Sequence, residues 1–254
     1  LSFAILLGIG TLLLMLPRCR PHNEPAAPLL VALFTSTSAC CVTGLNMVDP
    51  GTYWSRTGHW VILGLIQIGG LGIMTFGAFV AVALGRNSMR EHATFRDLLE
   101  SEKLSDVGTL LRAILGFTFS LELVGAGLLS TLWPDLPLDE RAFLGLFHAV
   151  SAFCNAGFCL RTECLIGWEL RWQVWGMMPL LIILGGVGFT PLFNLREALR
   201  SRWQRSPNRA PVRLTLSTRL VIITTLVLLA GGTLCLFALE YGNPKHPQGM
   251  ANQL

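Results

Sequence analysis

Long apolar runs alternate along the chain with short polar stretches that carry proline or arginine. Residues 1–16 are apolar up to Leu16-Pro17, where the proline and then Arg18 and Arg20 end a predicted helix. The next apolar run, Leu29 to Val42, has about 14 residues. A bilayer crossing needs roughly 20, so this run is predicted to be a short re-entrant segment. Asp49-Pro50-Gly51 reads as a turn, and His59 to Leu84 is long enough to span with tilt. A mixed-charge, partly helical connector is predicted over Arg86 to Asp106, and a third span over Ala113 to Trp133, interrupted by Glu122. Pro134 to Arg141 reads as a polar turn, Ala142 to Cys154 as a second short apolar run, and residues 161–171 as polar. Trp172 to Leu195 spans again, with Pro179 and Pro191 as expected kink points. Leu220 to Leu239 is a fifth span, and Glu240 to Leu254 a polar tail.

This pattern predicts an all-α polytopic membrane protein, and composition agrees. Hydrophobic residues make up 52% of the chain and charged residues 13%, where a soluble domain carries about 25% charged. Mean hydropathy is +0.57. The net charge of +4 comes from arginines between apolar runs, so it marks connectors at a membrane surface and not a nucleic-acid partner. The two connectors after the glycine-rich spans, 85–112 and 196–219, hold 12 of the 19 lysines and arginines. That bias puts them in the cytoplasm and both short apolar helices on the outer side of an inner or plasma membrane. Seven cysteines occur without a CxxC pair or a zinc spacing, and are expected to be packed free thiols. The chain opens on an apolar run without a basic leader region, so residues 1–16 are read as a first transmembrane helix that has lost its beginning, and the sequence as a fragment.

The two short apolar runs are copies of one another. Leu33, Phe34, Ser38, Ala39, Cys41 and Gly44 return 113 positions later as Leu146, Phe147, Ser151, Ala152, Cys154 and Gly157. Gly69-Gly70-Leu71-Gly72 returns as Gly185-Gly186-Val187-Gly188, at an offset of 116. An internal repeat of about 115 residues follows, each copy a short apolar helix, a glycine turn and a long glycine-punctuated helix.

A turn inside the membrane leaves peptide groups without helical partners, and such backbone persists only when buried in protein or lining a polar cavity. Two of them favour a cavity. Glycines 44 and 157 allow carbonyls to face inward, and rings of carbonyl oxygens replace a cation's hydration shell in selective pores. Desolvating an ion costs about 20 kcal/mol in the idealised limit, whereas a short helix's C-terminal dipole contributes about 0.3–1 kcal/mol. The backbone around Val42-Thr43-Gly44-Leu45 and Asn155-Ala156-Gly157-Phe158 must therefore do most of the work. Asp49 is a candidate charge at the outer mouth.

The segments Cys41-Val42-Thr43-Gly44-Leu45, Gln67-Ile68-Gly69-Gly70-Leu71-Gly72-Ile73-Met74-Thr75-Phe76 and Ser151-Ala152-Phe153-Cys154-Asn155-Ala156-Gly157-Phe158 resemble the Trk/Ktr/HKT superfamily of potassium transporters. Members of that family have four helix–pore-helix–helix repeats around one ion path, with one filter glycine in each. The resemblance implies repeat 1 over 1–84, a cytoplasmic connector over 85–107, repeat 2 over 108–195, a basic connector over 196–217, and the first helix of repeat 3 over 218–254. It implies potassium as the transported ion, coordinated at the filter by residues 42–45 and 155–158, and no covalently bound cofactor. A cytosolic nucleotide-binding regulatory subunit and a homodimer are implied as partners, besides the lipid bilayer. Glycine at position 44 resembles the potassium-selecting members, while Cys154 and Cys159 stand where the family more often has polar residues.

Other readings stay open at this stage. Gly69, Gly70, Gly72, Gly185, Gly186 and Gly188 are either close helix contacts or hinge positions. Glu122 is either a hydrogen-bonded structural acid or an ion site. A non-conducting membrane scaffold would use the same helices, and Ser151 with His148 could serve an intramembrane hydrolase, although they lack a third partner and Thr35 replaces the histidine in the first copy.

Overall fold

The computed structural model describes residues 2–22, 24–85, 104–203 and 214–241. The chain is an all-α protein: no strand occurs among the described residues. In chain order the helices are α1 (Ser2–Leu14), α2 (Leu29–Cys40), α3 (Pro50–Tyr53), α4 (Arg56–Gly85), α5 (Leu104–Ser130), α6 (Leu138–Phe153), α7 (Met178–Val187), α8 (Phe189–Trp203) and α9 (Leu216–Glu240). Residues 1–189 and 190–254 form two compact units. The mixed-charge connector from Arg86 to Lys103, residues 204–213 of the basic connector and the tail beyond Tyr241 lie outside the described residues.

Several boundaries differ from those the polarity pattern predicts. Asp49-Pro50-Gly51 opens a capped helix, α3, where a turn was expected. The Asp49 carboxylate accepts the Gly51 N–H at 3.0 Å, and Pro50 takes the first helical position, where a missing N–H costs nothing. Helix α6 begins at Leu138, four residues before its apolar run, because Asp139 and Glu140 in the first turn suit the positive end of the helix dipole. The break in the fourth apolar run belongs to Gly188, whose φ is +82°. Pro191 sits harmlessly in the first turn of α8, and Pro179 at the start of α7, just after a π turn over Gln173–Met177.

In the first unit α1, α2 and α4 pack together, as do α5, α6 and α7, and α4 also touches α6. The fully buried side chains include Leu14, Ile62, Ile66, Leu129, Leu132, Phe147, Phe153 and Leu181. Helix α6 is enclosed from Phe143 to Phe153 save Leu146, whereas α2 leaves Leu29, Leu30 and Leu33 exposed. Arginines brace the ends of these helices against aromatic faces. The Arg20 guanidinium lies 3.5 Å from the Tyr53 ring centre and that of Arg56 lies 3.6 Å from Phe143.

The expectation of free thiols fails at one place. Cys159 and Cys164 form a disulfide, since the loop after α6 folds back through a positive φ at Cys164 and brings their Cα atoms within 5.5 Å. Cys19, Cys40 and Cys154 are buried free thiols.

Among the described residues, Arg112–Ser130 and Leu216–Leu239 are long and apolar enough to cross a membrane, with mean hydropathies of 1.7 and 2.5. The 30 residues of α4 make a rod about 45 Å long, which also suffices by length. In the second unit, Thr215 caps α9 by accepting the Thr218 N–H at 3.2 Å, and its own N–H donates to Asn194 Oδ1 at 3.1 Å. Leu226, Leu228, Leu234 and Leu239 of α9 are exposed, a surface suited to lipid and not to water.

Phe147 is the test of the first unit's core. Its ring is fully buried and lies 6.1–6.4 Å from those of Phe143, His148 and His59. Phe147→Ala is expected to cost about 3–5 kcal/mol, read as a lowered midpoint in denaturant unfolding of the detergent-solubilised protein.

Candidate functional site

The ends of α2 and α6 have the same backbone. Thr43 N–H reaches back to Ser38 O at 3.0 Å and Val42 N–H to Ala39 O at 3.3 Å. At the equivalent positions, Ala156 N–H bonds Ser151 O at 2.7 Å and Asn155 N–H bonds Ala152 O at 3.1 Å. This paired 6→1 and 5→2 closure is the Schellman motif, which requires a left-handed residue just past the helix cap. Val42 (φ +48°) and Asn155 (φ +58°) supply it, and Gly44 (φ +72°) and Gly157 (φ +70°) repeat the left-handed conformation two residues on. Asparagine adopts that conformation readily; a β-branched valine does so against its steric preference.

The closure engages the N–H groups of Val42, Thr43, Asn155 and Ala156 and leaves acceptors over. The carbonyls of Val42, Thr43, Leu45, Asn155, Ala156 and Gly157 accept no hydrogen bond among the described residues. Gly44 O accepts from Asn46 Nδ2 at 3.4 Å, and Phe158 O from Ser151 Oγ at 2.8 Å. The two turns also meet. A Cβ on Gly44 would lie 2.9 Å from Ala156 O and 3.2 Å from Gly157 Cα, and a Cβ on Gly157 would lie 3.2 Å from Gly44 Cα. Of the eight residues singled out by sequence, the contacts bring together Gly44, Ala156 and Gly157, while Leu45 is exposed and Phe158 buried.

The glycine-rich helices pack behind the turns. A Cβ on Gly69 would overlap Cys40 O, and one on Gly185 would overlap Phe153 O, the last helical residue of each short helix. Gly70 abuts the Cys154 side chain, so closely that a Cβ at Gly70 would lie only 2.7 Å from Sγ, and Gly72 and Gly186 make looser approaches. Helix α4 runs through Gly69, Gly70 and Gly72 without interruption, whereas Gly188 ends α7.

Asp49 is engaged. Its carboxylate accepts from Thr162 Oγ1 at 2.5 Å and from Gly51 N–H, which ties the loop after the first turn to the loop after the second. Thr162 is the residue 113 positions from Asp49, so the tie joins the same place in the two copies. The Thr162 hydrogen bond holds the Asp49 carboxyl below the ordinary carboxylate range, with a smaller contribution from Gly51. Gln67 Nε2 donates to the buried Glu122 at 3.0 Å. His148 Nδ1–H donates to Leu144 O at 2.7 Å, and Ser151 Oγ is held by both the N–H and the carbonyl of Phe158, so no serine–histidine pair forms. Among the described residues no cluster of histidine, cysteine and carboxylate side chains could hold a metal ion.

The left-handed Val42, the Asp49–Thr162 tie, the Gln67–Glu122 bond and the disulfide are absent from the sequence-based expectations. Asn155 carried a signal, as a residue favoured at a Schellman turn, and superposing the two copies pairs Asp49 with Thr162. Val42 carried none.

Two consequences are measurable. Val42→Asn, which copies the second turn into the first, is expected to raise stability by up to about 1 kcal/mol, whereas Gly44→Ala lowers it by about 1–2 kcal/mol or more; unfolding midpoints in detergent report both. Because the Asp49 carboxyl titrates lower in the folded protein, its contribution is fully present above the ordinary carboxylate pKa and is lost as pH falls through the lowered folded value. Thr162→Val should therefore move the acid-unfolding transition to higher pH.

Comparison with known proteins bears on this site. A family model described as TrkH, cation transport protein, matches residues 2–242. The chain is 38% identical over 248 residues to the Ktr system potassium uptake protein B of Bacillus subtilis, covering 96% of this chain and 52% of that protein. It is 33% identical over 233 residues to the potassium/sodium uptake protein NtpJ of Enterococcus hirae, covering 91% and 49%. It is 33% identical over 247 residues to the Ktr system potassium uptake protein B of Vibrio alginolyticus, covering 96% and 52%. The chain spans about half the length of these relatives. The chain belongs to the TrkH family of cation transport proteins, membrane transporters and not enzymes.

Proposed function

We propose that the whole protein takes up potassium by a channel-like path, in which the backbone oxygens of residues 42–45 and 155–158 form two of four filter segments around a dehydrated ion. The observation that carries this reading is the meeting of two turns of the same left-handed backbone, with free carbonyls, at Gly44 and Gly157. The names of the relatives support potassium as the cargo. In this reading α2 and α6 are pore helices that re-enter the bilayer from outside, within repeats over 1–84 and 108–195. The segments 85–107 and 196–217 are cytoplasmic connectors, and 218–254 opens a third repeat. Gly69, Gly70, Gly185 and Gly186 let the long helices back the filter closely, and Gly188 is the position best placed to act as a hinge. Asp49 keeps the outer loops together and adds negative charge at the mouth. The protein works in the plasma membrane, as a homodimer with a cytosolic nucleotide-binding subunit against its basic connectors.

The test is uptake by the whole protein in a bacterial strain stripped of its own potassium uptake systems. Growth at limiting potassium is expected, and Gly44→Ser should lower the ratio of potassium to sodium flux. Selectivity unchanged by that substitution would count against a filter at Gly44.

A further inference from the structure

Glu122 is an unusual residue to find where it lies. It sits in the middle of α5, within the apolar stretch Arg112–Ser130, and is only 2% exposed. One hydrogen bond, from Gln67 Nε2 at 3.0 Å, holds it, and no ion pair reaches it among the described residues. One turn earlier on the same helix, Thr118 is fully buried and its hydroxyl has no partner, so this part of α5 is polar inside an apolar span. A carboxylate at such depth needs a counter-charge or a proton.

Its neighbours lead to the second turn. Gln67 stands on α4 one turn before Gly70, and Gly70 lies directly against Cys154. Cys154 caps α6 and leads straight into Asn155-Ala156-Gly157-Phe158. The Gln67–Glu122 pair is therefore one layer behind the second turn. Among the described residues no cationic side chain pairs with it, so Glu122 carries either a proton or a charge balanced by the cation that the uptake reading puts in front of that turn. We propose that Glu122 is an ionised positioning residue that raises cation affinity at the filter from behind, without touching the ion. The inference rests on the uptake reading above.

The experiment measures uptake of rubidium, as a potassium tracer, by the whole protein, and separates KM from the maximal rate. Glu122→Gln keeps the size and can still pair with Gln67, but removes the charge. It is expected to raise KM about ten-fold, the effect of one fixed charge roughly two helical turns away at an effective dielectric near 20, with little change in maximal rate. Exchanging the two side chains, Gln67→Glu with Glu122→Gln, returns a charge to the same layer and should bring KM back toward the wild-type value. A wild-type KM in Glu122→Gln would overturn the proposal, since it would mean a neutral, hydrogen-bonding acid. Should Glu122→Gln not accumulate in the membrane, infrared spectra of the purified wild-type protein at neutral pH decide: absence of a protonated-carboxyl band supports the proposal, and a protonated-carboxyl band refutes it. Failure of the wild-type protein to take up rubidium would instead defeat the uptake reading itself.

Discussion

Everything at the centre of this protein depends on how two short helices end. A helix that stops inside apolar surroundings must account for its last carbonyls and for the first peptide groups beyond it. The Schellman closure at Ser38–Thr43 and Ser151–Ala156 bonds the Val42, Thr43, Asn155 and Ala156 N–H groups back onto the helix, while the carbonyls of those four residues accept nothing from it. Both copies then pass through a second left-handed residue, a glycine, and the two glycines meet without room for a side chain between them. The result is a small region where backbone carbonyls without hydrogen-bond partners among the described residues lie beside two touching glycines.

The glycine-rich helices pack closely on that region. Gly69 and Gly185 bring α4 and α7 onto the carbonyls that end α2 and α6, a distance any side chain would forbid. The contacts differ in detail between copies. In the first turn Thr43 Oγ1 donates to Ser38 Oγ at 3.1 Å, while in the second Ser151 clasps both peptide groups of Phe158. Outside the turns the Asp49–Thr162 bond joins one loop to the other, and the Cys159–Cys164 disulfide shortens the second loop alone. The two turns thus share a backbone and differ in their side-chain bonds.

Polar groups buried elsewhere are arranged differently. His148 and Ser151 bond within their own segment, His148 through Nδ1 to Leu144 O and through Nε2 to Cys159 Sγ, and Ser151 to both peptide groups of Phe158, which makes them supports of α6 and its turn. Glu122 bonds to a neighbouring helix and keeps an oxygen without a partner among the described residues.

The sequence alone was enough for the class and the apolar segments, and it singled out the two glycines that touch, because hydropathy, segment length and self-similarity are properties of the chain itself. The places where helices start and break were less legible: Asp139 and Glu140 read as loop by polarity yet suit a helix N-terminus, and Pro179 and Pro191 read as kinks yet open helices. Gly188, Val42, the disulfide and the Gln67–Glu122 bond were decided only by the fold. A φ angle, a hydrogen bond across 55 residues and a contact between two turns 113 residues apart depend on where packing brings distant segments. Local pattern holds no record of that, because burial and proximity are set by the whole chain at once.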